Sequence, residues 1–136
     1  MEERSTYDKA FLQVMNLWRQ GGPARGFVFG KRLAGIATAL LETRGVRLYH
    51  DQSLYKEPGG GITPAHADQY YWPLSSDRCI TAWVPLQAVP RDMGPLAFFA
   101  GSQHVEFGRD LGISDESERA ITANMEAHGF PIVDEP

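Results

Sequence analysis

A histidine and a carboxylate stand two residues apart, just after a glycine-rich stretch. His66 and Asp68 follow Gly59-Gly60-Gly61 and are separated by one alanine. On an extended strand, side chains at positions i and i+2 project from the same face, so this spacing predicts that both point to the same place. With one more histidine, such a pair forms the facial triad that holds non-haem Fe(II) for oxygen chemistry. A bare His-x-Asp pattern also occurs by chance in many chains, so the surrounding residues must decide.

The residues around this pair resemble the phytanoyl-CoA dioxygenase family. The similarity runs from about Tyr7 to about Gly108, and it is most specific from the glycine stretch through Pro73. The segments that carry it, besides the pair itself, are Leu48-Tyr49-His50-Asp51-Gln52, Lys56-Glu57-Pro58, Thr63-Pro64, Gln69-Tyr70-Tyr71-Trp72-Pro73, Gly94-Pro95-Leu96 and Gly101-Ser102. Ala65 and Ala67 depart from the family pattern, which often has a large aromatic residue and a glutamine there. Both departures lie beside the expected ligands, where they would alter pocket shape and hydrogen bonding around a metal.

The resemblance implies an Fe(II)- and 2-oxoglutarate-dependent dioxygenase that hydroxylates a small organic substrate. It implies a mainly β fold with flanking helices, a double-stranded β-helix or cupin-like jelly roll. Iron would be bound by His66, Asp68 and a distal histidine, with 2-oxoglutarate and O₂ as co-substrates. The carboxylate at Asp68 also separates the chain from related halogenases, in which a small residue takes that position.

The same resemblance implies candidates for co-substrate and substrate binding. The positions that correspond to co-substrate-binding strands are Gln52, Ser53, Thr81 and Trp83. Two of these have structural alternatives, because Trp83 could equally fill a barrel interior and Gln52 could satisfy a buried backbone group. Tyr70, Tyr71 and Trp72 follow the ligands and either line a substrate pocket, for which Tyr71 and Trp72 are the candidates, or belong to the core.

The family's distal histidine and the arginine that pairs with 2-oxoglutarate have no counterpart in this sequence. The other histidines are His50, His104 and His128, and no arginine follows Arg119. His104 lies in a turn that resembles the family's Gly-Ser-His turn, and His128 is expected to cap the C-terminal end of a helix. We therefore expect a jelly roll that is incomplete at its C-terminal end.

Two alternatives to an oxygenase stay open. One is a catalytically inactive jelly-roll module that binds or regulates without a complete metal site, which the missing histidine and arginine support. The other is a sugar-modifying or other cupin enzyme with a different metal set, for which fold analogy is the only argument.

An incomplete barrel leaves unpaired strand edges and apolar faces exposed to water. We expect these to be covered by self-association into a homo-oligomer, through edge pairing or exchange of the segment after Gly129. The other way to cover them is a helix from Ser114 to His128 that folds over the open side.

Composition and charge exclude several classes of protein. The formal charge of −4 and the absence of a Lys/Arg cluster argue against a nucleic-acid partner. No apolar run approaches the roughly 20 residues of a membrane-spanning helix, and the first residues lack the apolar core of a signal peptide. Cys79 is the single cysteine and cannot form an internal disulfide. These features predict a cytoplasmic protein without a nucleic-acid or membrane partner. The small-molecule substrate is what the family resemblance implies.

Chain length predicts a single domain over residues 1–136. Local patterns predict a helical part at 5–44 and a mainly β part at 46–136, which the resemblance implies is a partial jelly-roll core. One helix is predicted from Ser5 to the break at Gly21, and a second carries the apolar stripe from Leu33 to Leu41 and ends at Gly45. The predicted strands are 46–55, a strand carrying His66 and Asp68, 78–86, 96–100 and 130–133. A third helix is predicted at 115–128, with Ser114 as its N-cap and Gly129 just past its end.

Overall fold

The computed structural model describes residues 9–133, which contain three complete α-helices, two helical residues at Lys9 and Ala10, and two small antiparallel sheets. The helices are α1 (Gly22–Val28), α2 (Lys31–Leu40) and α3 (Asp115–Ala127). The strands are β1 (Leu12–Met15), β2 (Gln52–Tyr55), β3 (Phe98–Phe99) and β4 (Ile132–Val133). Single turns of 3₁₀ helix occupy Leu17–Gln20, Asp68–Tyr71, Arg91–Met93 and Ser102–His104.

The described residues divide into two compact units. The second unit consists of Phe11–Pro58 and Ser76–Val84, and the first unit consists of the remaining residues. The second unit contains β1, β2, α1 and α2, whereas the first contains α3, β3, β4 and the segment with His66 and Asp68. The prediction of a single domain stays a prediction.

In the second unit, β1 pairs with β2 in antiparallel register, with Leu12 opposite Tyr55 and Met15 opposite Gln52. The predicted helix is therefore wrong where it crosses β1. Lys9 and Ala10 are helical, as the prediction has them, and its residues 5–8 lie outside the described part of the chain. Asn16 then adopts the left-handed conformation, with φ of 57°, and its N–H donates to the Asp51 carbonyl at 2.7 Å. The apolar spacing fits a helix, but β1 finds its hydrogen-bond partners on a strand that is distant in sequence.

Helices α1 and α2 follow the strand in the second unit. The Gly21-Gly22-Pro23 sequence, expected only to break a helix, begins α1 instead, because proline is tolerated in a first turn where no N–H partner is needed. The prediction of α2 is confirmed in position, but the residue that turns left-handed after it is Glu42, with φ of 51°, and not Gly45. The Arg78 guanidinium donates to the carbonyl of Leu41 at 2.5 Å, so it satisfies one carbonyl just past the end of this helix.

The β structure is smaller than the sequence suggests. The predicted strand at 46–55 shortens to β2, and residues 78–86 and 61–67 have no regular structure. The predictions at 96–100 and 130–133 are confirmed as β3 and β4, which pair Phe98 with Val133 and Phe99 with Ile132. Each sheet has two strands, so the described residues do not form a jelly-roll barrel.

Helix α3 is the element that the sequence predicts best. It begins after Ser114 and ends before His128 and Gly129, whose φ is 73°. Ser114 Oγ accepts from the N–H of Ser117, and Ser117 Oγ accepts from the N–H of Ser114, so the two serines form a capping box.

The inward face of α3 forms the core of the first unit. Ile121 and Met125 are buried on this face, as is the hydroxyl residue Ser117 at 3% exposure. Gly108 faces this helix with φ of 90°, and a Cβ there would lie 3.0 Å from the Ile121 side chain. The approach therefore requires glycine.

Apolar side chains remain on the surface of the described residues. Examples are Leu86 at 87% exposure, Leu40 at 65% and Phe98 at 60%. Within residues 9–133, no helix combines the length and the apolar character needed to cross a membrane.

Replacing Ser114 with alanine is expected to lower the free energy of unfolding by about 1 kcal/mol, because the N–H of Ser117 would lose its acceptor. Ser114→Asp should retain most of the stability, since a carboxylate is also a good N-cap. Urea unfolding of both variants measures the difference. Equal stability of Ser114→Ala and the unaltered protein would contradict the role of the cap.

Candidate metal centre

His66 and Asp68 lie at the end of an irregular segment in the first unit, not on the strand that the sequence predicts. Residues 61–67 have no regular structure, and Asp68 begins a 3₁₀ turn that continues to Tyr71. Ala67, between the two, is extended, with φ of −109° and ψ of 125°. The extended conformation that directs side chains i and i+2 to one face is therefore present at Ala67, although residues 61–67 pair with no other strand.

The two side chains meet. His66 Nε2 lies 3.3 Å from Asp68 Oδ1, and the two side chains are 21% and 41% exposed. Two neighbouring donor atoms of an octahedral metal, each about 2.1 Å from the ion, lie about 3 Å apart. The observed separation thus suits two ligands of one metal, and the partial exposure leaves the pair accessible from solvent.

A backbone carbonyl fixes which imidazole nitrogen is available. Nδ1 of His66 lies 2.7 Å from the carbonyl oxygen of Pro64, and a carbonyl only accepts, so Nδ1 carries the hydrogen. In the neutral ring, Nε2 is therefore the nitrogen with the free lone pair, and it faces Asp68. A carbonyl behind the ring is the usual way in which proteins orient a metal-binding histidine. The pair fits the imidazole and carboxylate part of an iron site.

The same contacts favour the protonated ring when no metal is bound. The hydrogen bond to Asp68 raises the pKa of His66 above its ordinary value, burial acts in the opposite direction, and the Pro64 carbonyl raises it further. Without a cation, the free lone pair of Nε2 would face a carboxylate oxygen, which is unfavourable. A proton and a metal ion therefore compete for the same position between the two side chains.

The segment is attached to α3 and to the residues before it. The Ala65 N–H donates to the Glu118 carboxylate, and the Ser117 hydroxyl lies 3.3 Å from the Ala65 carbonyl. Farther along, the Tyr71 hydroxyl accepts from the N–H of Ile113 at 2.8 Å. Local patterns do not reveal these contacts, since Glu118 and Ala65 are 53 residues apart. The N-cap at Ser114 predicts where α3 begins, but it does not predict that this end of the helix lies near the pair.

The four co-substrate candidates all lie in the second unit. Gln52 and Ser53 are neighbours on β2, and the Gln52 side chain pairs with the side chain of Gln13, so it does not satisfy a buried backbone group. Thr81 and Trp83 belong to the irregular residues after Arg78. Trp83 is 40% exposed, so the alternative that it fills an interior is wrong for this structure. Their role in binding stays a prediction.

The substrate candidates and the remaining histidines have separate surroundings. Tyr71 ends the 3₁₀ turn that Asp68 begins, its ring meets Tyr70 edge to face at 4.8 Å, and Trp72 follows it. His128 is confirmed as a helix cap, because its Nδ1 donates to the Asn124 carbonyl at 2.7 Å. Across residues 9–133, no third histidine, cysteine, aspartate or glutamate joins a cluster suited to a metal.

Comparison with known proteins identifies one family. A family model described as phytanoyl-CoA dioxygenase (PhyH) matches residues 6–129, which is most of the chain. No curated protein and no solved structure matches the chain.

The pKa of His66 should lie above that of an ordinary histidine, and Asp68→Asn should lower it, because the neutral amide removes the strongest cause of the shift. A raised pKa means that folding favours the protonated ring. The contribution to stability is then present in acid and is lost as the pH rises through the pKa of the folded protein. Metal binding should show the reverse trend and weaken as the pH falls through the same value.

Two-dimensional NMR of the histidine ring signals during a pH titration measures both proteins. The ring signals of His104, a histidine outside the pair, serve as the internal control. An unchanged His66 pKa in Asp68→Asn would contradict the pairing.

Proposed function

Because the chain belongs to the phytanoyl-CoA dioxygenase family, we propose that it is an Fe(II)- and 2-oxoglutarate-dependent dioxygenase that hydroxylates a small organic substrate. Members of this family are typically oxygenases of this class and generally have a jelly-roll fold. The distance of 3.3 Å between His66 Nε2 and Asp68 Oδ1 is the observation that supports particular residues as iron ligands. These two side chains are the proposed iron ligands.

Each residue of the pair has a separate task in this proposal. His66 offers Nε2 because the Pro64 carbonyl holds the hydrogen on Nδ1. Asp68 supplies an anionic oxygen that partly neutralises a divalent ion. Bound iron supplies the activation of O₂ that is coupled to decarboxylation of 2-oxoglutarate, and the protein positions the reactants. At low pH the pair holds a proton instead, so activity should require the neutral imidazole.

The other parts of the proposal extend from the family relationship. Gln52, Ser53, Thr81 and Trp83 are the proposed contacts to 2-oxoglutarate. Tyr71 and Trp72 are proposed to contact the substrate, because they directly follow the turn that Asp68 begins. We also propose a cytoplasmic protein that self-associates, since Phe98 on β3 and Ile132 on β4 are 60% and 58% exposed. Pairing with a second copy would cover such apolar side chains.

A second candidate function is a non-catalytic jelly-roll module that binds or regulates. The observation in its favour is that only two clustered ligands are present within the described part of the chain. Such a module would bind metal weakly or not at all, and it would release no succinate from 2-oxoglutarate. Measuring metal affinity and succinate together separates the two candidates.

Replacing either ligand should remove metal binding and any turnover of 2-oxoglutarate. For His66→Ala and Asp68→Ala we expect Mn(II) affinity, a redox-stable substitute for Fe(II), to fall by more than the roughly 10- to 100-fold that the loss of an outer-shell partner costs. Calorimetry under nitrogen measures affinity, and succinate formed with Fe(II), 2-oxoglutarate and O₂ measures turnover.

His104→Ala is the matched control, because it removes a histidine outside the pair and should leave Mn(II) affinity unchanged. If His104→Ala lost as much affinity as His66→Ala, the ligand assignment would be wrong. Iron-dependent succinate release that survives both ligand replacements would contradict the proposed site.

A further inference from the structure

Helix α3 contacts the residue immediately before the proposed histidine ligand at both of its backbone polar groups. The Ala65 N–H donates to the Glu118 carboxylate, and the Ala65 carbonyl lies 3.3 Å from the Ser117 hydroxyl. The Ala65 carbonyl belongs to the peptide unit that leads into His66. The orientation of this carbonyl therefore sets the direction of the backbone at His66.

The side chains that make these contacts are themselves held in place. Ser117 is 3% exposed, and its hydroxyl also takes part in the capping box with Ser114. Glu118 is half-buried, unlike Glu116 on the same helix, whose side chain is 80% exposed. Because an ionised acceptor forms a stronger hydrogen bond to a backbone N–H than a neutral one does, Glu118 is suited to hold an irregular segment.

The rest of the segment lacks a ladder that could do this instead. Residues 61–67 belong to neither sheet. At the start of this segment, the Gly61 N–H donates to the Lys9 carbonyl at 2.9 Å. On the other side of the pair, the Tyr71 hydroxyl is bonded to Ile113, just before α3. Thus the start of α3 contacts Ala65 on one side of the pair, and Ile113, just before α3, contacts Tyr71 on the other side.

We propose that Glu118 is a positioning residue for metal binding, which acts through its hydrogen bond to the Ala65 N–H to hold His66 facing Asp68. This inference rests on the proposed function, because it gives the metal site a support outside its ligands. Glu118 itself touches neither the imidazole nor the carboxylate in the described contacts, so its effect is on geometry. Outer-shell groups of this kind typically change metal affinity by about 10- to 100-fold.

Two variants of Glu118 separate the hydrogen bond from the charge. Glu118→Gln removes the charge but keeps an oxygen at the same reach, so it should retain most of the Mn(II) affinity. Glu118→Asp keeps the charge but withdraws the carboxylate by one methylene, so affinity should fall by about 10-fold or more. Glu116→Asp is the matched control, since it makes the same change at an exposed position of the same helix and should leave affinity unchanged.

Metal-free readouts test the contact itself. In Glu118→Asp, amide hydrogen exchange at Ala65 should accelerate and the ring signals of His66 should shift, while Ile121 and Met125 in α3 keep their protection. Glu118→Gln and Glu116→Asp should resemble the unaltered protein in both respects. Because each of the three replacements keeps a polar side chain at a position that is not fully buried, thermal unfolding is expected to show a folded protein in each case.

The outcomes distinguish the two proposals. If the unaltered protein binds Mn(II) and Glu118→Asp binds it equally well, the positioning role is wrong and the proposed metal site stands. Equal losses in Glu118→Gln and Glu118→Asp would show that the charge or the fold matters, which also contradicts the positioning role. If the unaltered protein binds no Mn(II), the proposed function fails, and unchanged Ala65 exchange in Glu118→Asp would then refute the structural role of Glu118 as well.

Discussion

The hydrogen bonds between the Ala65 backbone and the start of α3 are the interaction on which the candidate site depends. His66 and Asp68 lie on a segment without strand pairing, so their mutual geometry requires a support from elsewhere in the first unit. Helix α3 provides that support because Ile121 and Met125 bury its inward face, and Ser117 and Glu118 reach the Ala65 peptide groups. A local helix thereby fixes a site that is more than 50 residues away in sequence.

The pair itself combines two properties that belong together in a metal site. The Pro64 carbonyl selects the nitrogen that is free, and the Asp68 carboxylate raises the pKa of that imidazole. A position that attracts a proton between an imidazole and a carboxylate also attracts a divalent cation, because both are positive and both use the same lone pairs. The pH dependence of the pair and its proposed affinity for metal would therefore have one physical origin.

Family membership and the described structure differ in how much β structure they indicate. Members of the family generally have jelly-roll folds, whereas residues 9–133 form two sheets of two strands each. Exposed side chains such as Phe98 and Ile132 stand on the smaller of these sheets. Such residues are typical of the faces that pack against further strands or a second copy.

The sequence by itself determined the features that depend on neighbouring residues. Three such features are the spacing of His66 and Asp68, the capping serine and terminal glycine of α3, and the motifs of the family. The structure agrees with the predicted ends of α3, and the family match agrees with the motifs. The sequence also indicated β3 and β4, although it could not give their pairing. These signals survive because caps, turns and short motifs are specified within a few residues.

Only the tertiary structure decided the features that depend on distant partners. Leu12–Met15 has helical spacing but forms a strand because β2 supplies its backbone partners. Helix α2 ends at Leu40, and the Arg78 guanidinium donates to the carbonyl of the next residue, Leu41. In the same way, Glu118 became part of the site through Ala65, a contact that no local pattern encodes. The physical reason is common to all three, since a backbone group left unpaired locally takes whichever partner the folded chain brings within hydrogen-bonding distance.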